Sequence, residues 1–380
     1  MSWNYVPFNK TLEKVKNTNK IPRKLFLSSG SYPVISQEKD FINGYWNESD
    51  DLFKVEKPVV IFGDHTKVIK LVGFDFVMGA DGVKVFLPND KFDSAFFYYF
   101  FLSVKLPDLG YARHFKLLTD LVVPCPSIEE QQRIVAILDA AFEQIDQAKA
   151  NAQQNLQNAR DIFDSALNQV FDKDSISGWN MSELSEVTTF IDYRGKTPQK
   201  TDSGLRLITA KNIKMGYIKL EPQEFVSPDS YEGWMTRGIP KEGDVLFTTE
   251  APLANVAMLD TSDRVVFAQR VIVLQQNRDV IDGAFLKYAL MSKPLQKLIH
   301  EKGTGATATG IKASLLKKIK VPFPCLSSQI NIVNMLNGLS SSTEELTQIY
   351  QQKITALDEL KQSLLQQAFS GQLTGAKDVA

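Results

Sequence analysis

Apolar or small residues recur at Ile134, Leu138, Ala141, Ile145, Ala148, Ala152, Leu156, Ala159, Phe163, Ala166 and Val170, in steps that alternate between three and four. That period predicts one long helix with a coiled-coil seam. Pro124 and Pro126 forbid helix before Ser127, and Ser127 with Glu130 three residues later forms a capping box. The same pattern returns 198 residues later. Val123–Phe171 can be laid over Val321–Phe369 without a gap, matching Val-Pro-x-Pro (Val123, Pro124, Pro126 and Val321, Pro322, Pro324), Gln131 with Gln329, Leu138 with Leu336, and Phe171 with Phe369. The second seam runs through Ile332, Leu336, Leu339, Thr343, Leu346, Tyr350, Leu357, Leu360 and Leu364, with Ser327 and Ser328 as candidate caps and an end before Ser370-Gly371. At about 1.5 Å per residue each helix reaches on the order of 65 Å, too long to lie within one globular domain. Two equal stripes most simply bury their seams against each other.

The stretches between the helices alternate differently. Short apolar runs at Tyr32–Ser36, Val59–Phe62, Phe76–Met78 and Val83–Phe86, punctuated by Gly, Asp and Asn turns, predict strands, with a helix at Asp93–Ser103. After the polar link Asp172–Gly178, strands are predicted at Leu205–Thr209, Tyr217–Leu220, Val245–Thr248, Val256–Leu259 and Val271–Gln275, then a helix at Ala284–Ile299. Trp3 and Trp179, Asn43-Gly44-Tyr45 and Met215-Gly216-Tyr217, and helices bearing Tyr98 and Tyr288 are shared landmarks. The expected architecture is α+β: two mixed α/β domains separated by two long antiparallel coiled-coil helices, an internal pseudo-twofold repeat. The expected boundaries are 1–124, 125–172, 173–322 and 323–380.

Composition is ordinary for a globular protein, with 43% hydrophobic and 23% charged residues. The most apolar run, Ala95–Val104, is about half the length of a membrane span, and no signal-peptide pattern opens the chain. Cys125 and Cys325 make neither a disulfide framework nor a zinc site, and His65, His114 and His300 lack metal-ligand spacing. A reducing cytoplasm is the expected compartment. The net charge of −1 hides an uneven distribution. Residues 1–120 hold 16 Lys/Arg against 14 Asp/Glu and residues 180–320 hold 20 against 16, whereas the helical stretches 121–179 and 321–380 hold 4 against 9 and 3 against 5. Basic heads and acidic helices suit heads that meet phosphate.

Catalytic signatures are missing. Gly305-Ala-Thr-Ala-Thr-Gly310 resembles a phosphate-binding loop, but Ile311 stands where Lys must follow, and Ala313 follows Lys312 in place of Ser or Thr. No nucleophile elbow, His-Glu-x-x-His, Cys-x-x-Cys, dinucleotide fingerprint or Asn-Pro-Pro-Tyr-type methyltransferase tetrapeptide occurs.

The whole chain resembles the specificity subunit of a type I restriction–modification system. The resemblance rests on Asp192-Tyr193-Arg194-Gly195-Lys196-Thr197-Pro198, on Ile208-Thr209-Ala210-Lys211-Asn212-Ile213, on Thr249-Glu250-Ala251-Pro252-Leu253, on the two Pro-x-Pro to Gln junctions and on the ending Leu364–Thr374; Ile61–Lys67 and Gly79-Ala80-Asp81-Gly82 are similar to a second recognition-domain type. It implies a non-catalytic reader of double-stranded DNA whose two target-recognition domains each read part of a split, asymmetric site. It further implies that the helices set the spacer and dock two adenine-N6 methyltransferase subunits, that S-adenosylmethionine sits on those partners and no cofactor on this chain, and that a restriction/translocase subunit joins the full complex. The alternatives are a coiled-coil interaction scaffold without DNA readout, and a fused restriction or methylation enzyme. Candidate DNA contacts are His65, Lys67, Arg113 and His114 in the first head, and Arg194, Lys196, Lys211, Asn212, Arg270 and Lys312 in the second.

Overall fold

Each head is closed by its own two ends. In the computed structural model, which describes residues 3–373 apart from 17, 81, 108, 111, 194–196, 269 and 306–308, Asn4–Pro7 pairs antiparallel with Val122–Cys125, and Asn180–Glu183 pairs antiparallel with Lys320–Phe323. The Val-Pro-x-Pro repeat therefore has a physical reason. Val123 and Val321 are fully buried in these closing strands, Pro124 and Pro322 pair within them, and Pro126 and Pro324 lie just beyond their ends, before the helices begin.

Within this closure, both heads follow one path. The first carries an antiparallel sheet ordered Leu12–Glu13, Val83–Pro88, Val59–Gly63, Ile69–Val72; the second carries Thr188–Asp192, Val271–Gln276, Val245–Thr249, Leu253–Met258 in the corresponding order. Each also has a mixed sheet that contains a parallel pair, Tyr32–Ile35 with Phe76–Gly79 at the centre of the first and Leu205–Ile208 with Val265–Phe267 at the edge of the second. Two expectations change. Tyr217–Leu220 is not a strand, because Lys219 and Leu220 give their carbonyls to the Asn212 side chain. The helix expected at Ala284–Ile299 is two helices, Gly283–Met291 and Lys293–Glu301, with Ser292 extended between them; Pro294, in the first turn of the second, has no N–H to give to a continuous helix and its ring would clash with the carbonyl of Leu290.

By packing, the chain divides into two units, Met1–Gln153 with Gln351–Ala380, and Gln154–Tyr350, so each long helix gives one part to each unit. In the first unit the head helix Ser94–Ser103 is apolar on every face and is buried on both sides. It packs on the antiparallel sheet through Phe97 and Phe101 against Phe8 and Phe86, and on the long helices through Tyr99 against Phe142 and through Phe96 and Phe100 against Phe369. In the second unit, Gly283–Met291 packs likewise, with Phe285 on Phe171 and Tyr288 on Phe163.

The long helices span Ile128–Val170 and Leu326–Phe369, each unbroken, the second remaining helical through Ser340–Ser342. Ser127 caps the first, accepting from Glu130 N at 3.3 Å. Cys325, rather than Ser327 or Ser328, stands at the cap of the second, and the hydroxyls of both serines lie 3.3 Å from its sulfur, which lowers the thiol pKa to about 7. A left-handed Gly371 ends that helix, with Gln372 N bonding back to Gln367 O. In the first unit, Lys149 meets Asp358 and Asp146 meets Lys361 at 2.5 and 2.8 Å. One number rises as the other falls, so the helices run antiparallel there. Seam positions Ile134, Leu138, Ile145, Ala152 and Ala159 are buried as expected, but Leu346 and Leu360 are 37% and 45% exposed. A single partner helix covers one line of side chains fully and leaves the second line at the rim.

One residue welds helix to head, twice. Gln131, fully buried, accepts from Asp93 N at 2.8 Å and donates to Lys91 O and Pro126 O at 2.8 and 2.9 Å. Gln329 repeats this with Asp282 N at 2.8 Å, Val280 O at 3.0 Å and Pro324 O at 2.9 Å. Asp93 and Asp282 cap the two head helices, accepting from Phe96 N and Phe285 N. A second tie follows about two turns further along each long helix. The Tyr99 hydroxyl donates to Asp139, and the Tyr288 hydroxyl to Asn337 at 2.6 Å. The counterpart of Tyr288 is thus Tyr99, not the Tyr98 that sequence suggested.

Lys70 is a buried cation, only 4% exposed, whose ammonium donates to Asp40 O, Phe41 O and Asn43 Oδ1 and so pins the loop 36–43. Burial lowers its pKa to about 8, partly offset by the Glu38 and Asp40 carboxylates. Below about pH 8 both folded and unfolded chains hold this proton; between there and pH 10 the unfolded chain holds more. Stability measured against a Lys70→Met variant is therefore expected to rise through that window, by about 1 kcal/mol per pH unit, in paired denaturant titrations. A flat difference would place the lysine in water.

Candidate nucleic-acid interface

In the first head, the turn after Val59–Gly63, the start of Val83–Pro88 and the segment before the short helix Phe115–Leu118 converge on one cleft of about 350 Å³. Its lining is Lys20, Asp64, His65, Gly82, Val83, Lys84 and Arg113. Three strong cations face one carboxylate, and that carboxylate is already engaged by Phe115 N at 2.7 Å. Gln37 braces the turn, accepting from His65 N through its side chain and from the Thr66 hydroxyl through its carbonyl. A larger groove of about 730 Å³ on the same head carries Lys14, Lys16, Lys54 and Lys57 against Glu13, Asp50, Glu56 and Asp90. Its charges cancel, so it offers a polyanion nothing.

In the second head, stretches far apart in sequence meet around a cleft of about 250 Å³ lined by Thr197, Lys200, Thr209, Ala210, Lys211, Glu224, Ala251 and Arg270 among others. Three of the family-like motifs, at 192–198, 208–213 and 249–253, thus contribute to one place. The Thr249–Leu253 turn is tight: the Ala251-Pro252 peptide is cis, and Ala251 has positive φ. Arg270 Nε lies 3.0 Å from Glu250 Oε1, and Lys200 lies 2.8 Å from Glu224. Gly310 bridges to Glu250, and Ile311 N donates to Thr249 O at 2.9 Å, which brings exposed Lys312 beside this turn.

Of the ten candidates, His65 and Arg113 share the first cleft, and Lys211 and Arg270 share the second. Lys67 lies in the same turn as His65 with a positive φ, outside the lining of the cleft. His114 and Asn212 are corrected. His114 is 0% exposed; its Nδ1 donates to Asp64 O at 3.0 Å while Nε2 accepts weakly from Leu109 N, so it fastens the cleft wall from behind. Asn212 is 1% exposed; its Oδ1 accepts from Thr209 N and Oγ1, and its Nδ2 donates to Lys219 O and Pro222 O. A side chain whose hydrogen bonds are all made inside the fold has none left for a base. Arg194 and Lys196 lie outside the described residues, as does the 306–308 part of the loop Gly305–Gly310.

Sequence reasoning missed Lys20, Lys84 and Lys200. Lys84 could have been found, since in Val83–Pro88 it takes the face opposite buried Val83, two residues beyond Gly82. Lys20 sits among solvated lysines, and nothing local distinguishes it. Among the described residues no His, Cys, Asp and Glu cluster could hold a metal ion, and no helix is long and apolar enough to cross a membrane.

A family model described as the type I restriction modification DNA specificity domain matches residues 3–158 and again residues 176–356. The specificity subunit of the type I restriction enzyme EcoR124I/EcoR124II of Escherichia coli is 23% identical over 338 residues, which cover 83% of this chain and 81% of that one. A solved chain from work on complex assembly and conformational transition of the type I R-M system superposes with a TM-score of 0.73 at 19% identity, covering 97% of this chain and 98% of that one. The HsdS subunit from Thermoanaerobacter tengcongensis gives 0.60 at 18% identity, covering 97% of both.

Proposed function

The chain belongs to the type I restriction–modification DNA specificity family, and from that premise we propose that its two basic clefts read the two halves of a split, asymmetric DNA target. The observation that carries this is the pair of clefts at one topological position of two like-folded heads, lined by different side chains. A scaffold duplicated while its cleft residues diverge is what reading two unlike half-sites requires. Lysines and arginines neutralise phosphate and set the register, and the few side chains that reach base edges supply discrimination of about 1–3 kcal/mol for each good bidentate contact. One head alone discriminates little; joining two on one chain adds the second readout at high effective concentration.

In this proposal the chain carries out no chemistry itself. Two adenine-N6 methyltransferase subunits, which bring S-adenosylmethionine, dock on the long helices, and a restriction/translocase subunit completes the assembly. The helices fix the unread spacer. Inserting one heptad at matched positions in both helices adds about 10 Å, on the order of three base pairs. Sequencing of methylated DNA is expected to show a longer spacer between two unchanged half-sites. If both half-sites become degenerate, the helices do more than space, and the proposal fails.

A further inference from the structure

The two clefts share a backbone corner that their sequences fill in opposite ways. In the first head Gly82 immediately precedes Val83, which pairs with Gly63; in the second Arg270 immediately precedes Val271, which pairs with Thr248. Asp64 N donates to Gly82 O at 2.7 Å, and Thr249 N donates to Arg270 O at 2.8 Å. The next strut is equivalent too, since His114 N donates to Asp64 O and Ile311 N to Thr249 O. Both corners are left-handed, with φ of +74° at Gly82 and 72° at Arg270.

Glycine suits such a corner without strain, and arginine does not. In the first head a side chain is also excluded by space: a Cβ on Gly82 would lie 2.5 Å from Gln37 Oε1 and 2.9 Å from His65 Cδ2. The second head instead places a full guanidinium there. What the corner gives the fold is its main-chain hydrogen bond, which any residue makes. The Arg270 side chain is 47% exposed, and its ion pair is with Glu250, itself 45% exposed; exposed pairs of this kind contribute little to stability. A strained residue that the fold does not need, aimed into a cleft, belongs to what the cleft binds.

We propose that Arg270 is a specificity-determining side chain of the second head and that its ligand is a base edge with two hydrogen-bond acceptors, the O6/N7 edge of guanine. Glu250 is its positioning residue. Holding the guanidinium through Nε orients the plane and leaves the two terminal amino groups for the paired contact that arginine makes with guanine. The carboxylate also offsets the charge, which disfavours indiscriminate phosphate binding. In the first head the corresponding space is filled by the Gln37 amide and the His65 imidazole, so the two heads present different groups at one position.

This rests on the reading of the chain as a DNA specificity subunit, and the experiment separates the two. The chain assembled with its methyltransferase partner methylates a randomised duplex library, and the modified molecules are sequenced for wild type, Arg270→Gly, Arg270→Lys and Glu250→Gln, with Tm measured for each chain. If wild type selects no split motif, the functional reading fails. Given a split motif, Arg270→Gly is expected to lose discrimination at a guanine in one half-site by about 10- to 100-fold, to keep the other half-site intact, and to melt at or above wild type. Arg270→Lys keeps the charge and is expected to lose the same guanine. Glu250→Gln is expected to weaken that preference only partly. An unchanged motif, or uniformly weaker binding with a salt dependence reduced by about one ion, makes Arg270 a phosphate contact and overturns the proposal. A lowered Tm for Arg270→Gly overturns the claim that the fold does not need it.

Discussion

Truncation of Gln329 to alanine is expected to destabilise the second unit by about 2–4 kcal/mol, and Gln131→Ala to do the same to the first. Each change leaves one N–H and two carbonyls without partners in a dry junction, which is the costly way to lose hydrogen bonds. The loss lands where the long helix meets the N-cap of the head helix. Hydrogen exchange should therefore report it locally: the Asp282 amide loses protection in one variant and the Asp93 amide in the other. Amide protection unchanged at both positions would mean the glutamines are passengers on a junction held by apolar packing.

Reversing charge in the first cleft, Lys84→Glu with Arg113→Glu, is expected to weaken target binding by the assembled complex about 100-fold or more at moderate salt. These two side chains and Lys20 dominate a cleft whose one carboxylate is already used by Phe115 N. The control is the larger groove on the same head. Lys14→Glu with Lys54→Glu alters as much charge on a balanced surface and is expected to change binding by less than about threefold. Equal effects from both pairs would reduce the cleft to a share of the general field of the head.

The repeat was legible in sequence because its causes are local. A three-and-four period, a proline stop, the capping Ser127 and a buried valine each leave a mark within a few residues, and they fall on the long helices, the start of the first and the closing strands. Gln131 and Gln329 were visible as matched letters; their role was not, because it depends on Asp93 and Asp282, dozens of residues away. The clefts were half legible. His65, Arg113, Lys211 and Arg270 stood out as cations in turns or motifs, but so did His114 and Asn212, which point inward. Residue type and turn context cannot tell a donor facing solvent from one facing a carbonyl across the fold. Lys20 reaches the cleft across the fold, its side-chain ammonium donating to Val83 O at 2.9 Å, and no neighbour in sequence marks that contact.

The central claim is that this chain chooses where DNA is methylated. The most direct measurement is a genome-wide map of N6-methyladenine in the source cells with and without the gene, under expression of the methyltransferase partner. The account predicts that loss of the gene removes methylation from one split motif with a constant spacer and from nowhere else. Methylation unchanged with the partner expressed would contradict it.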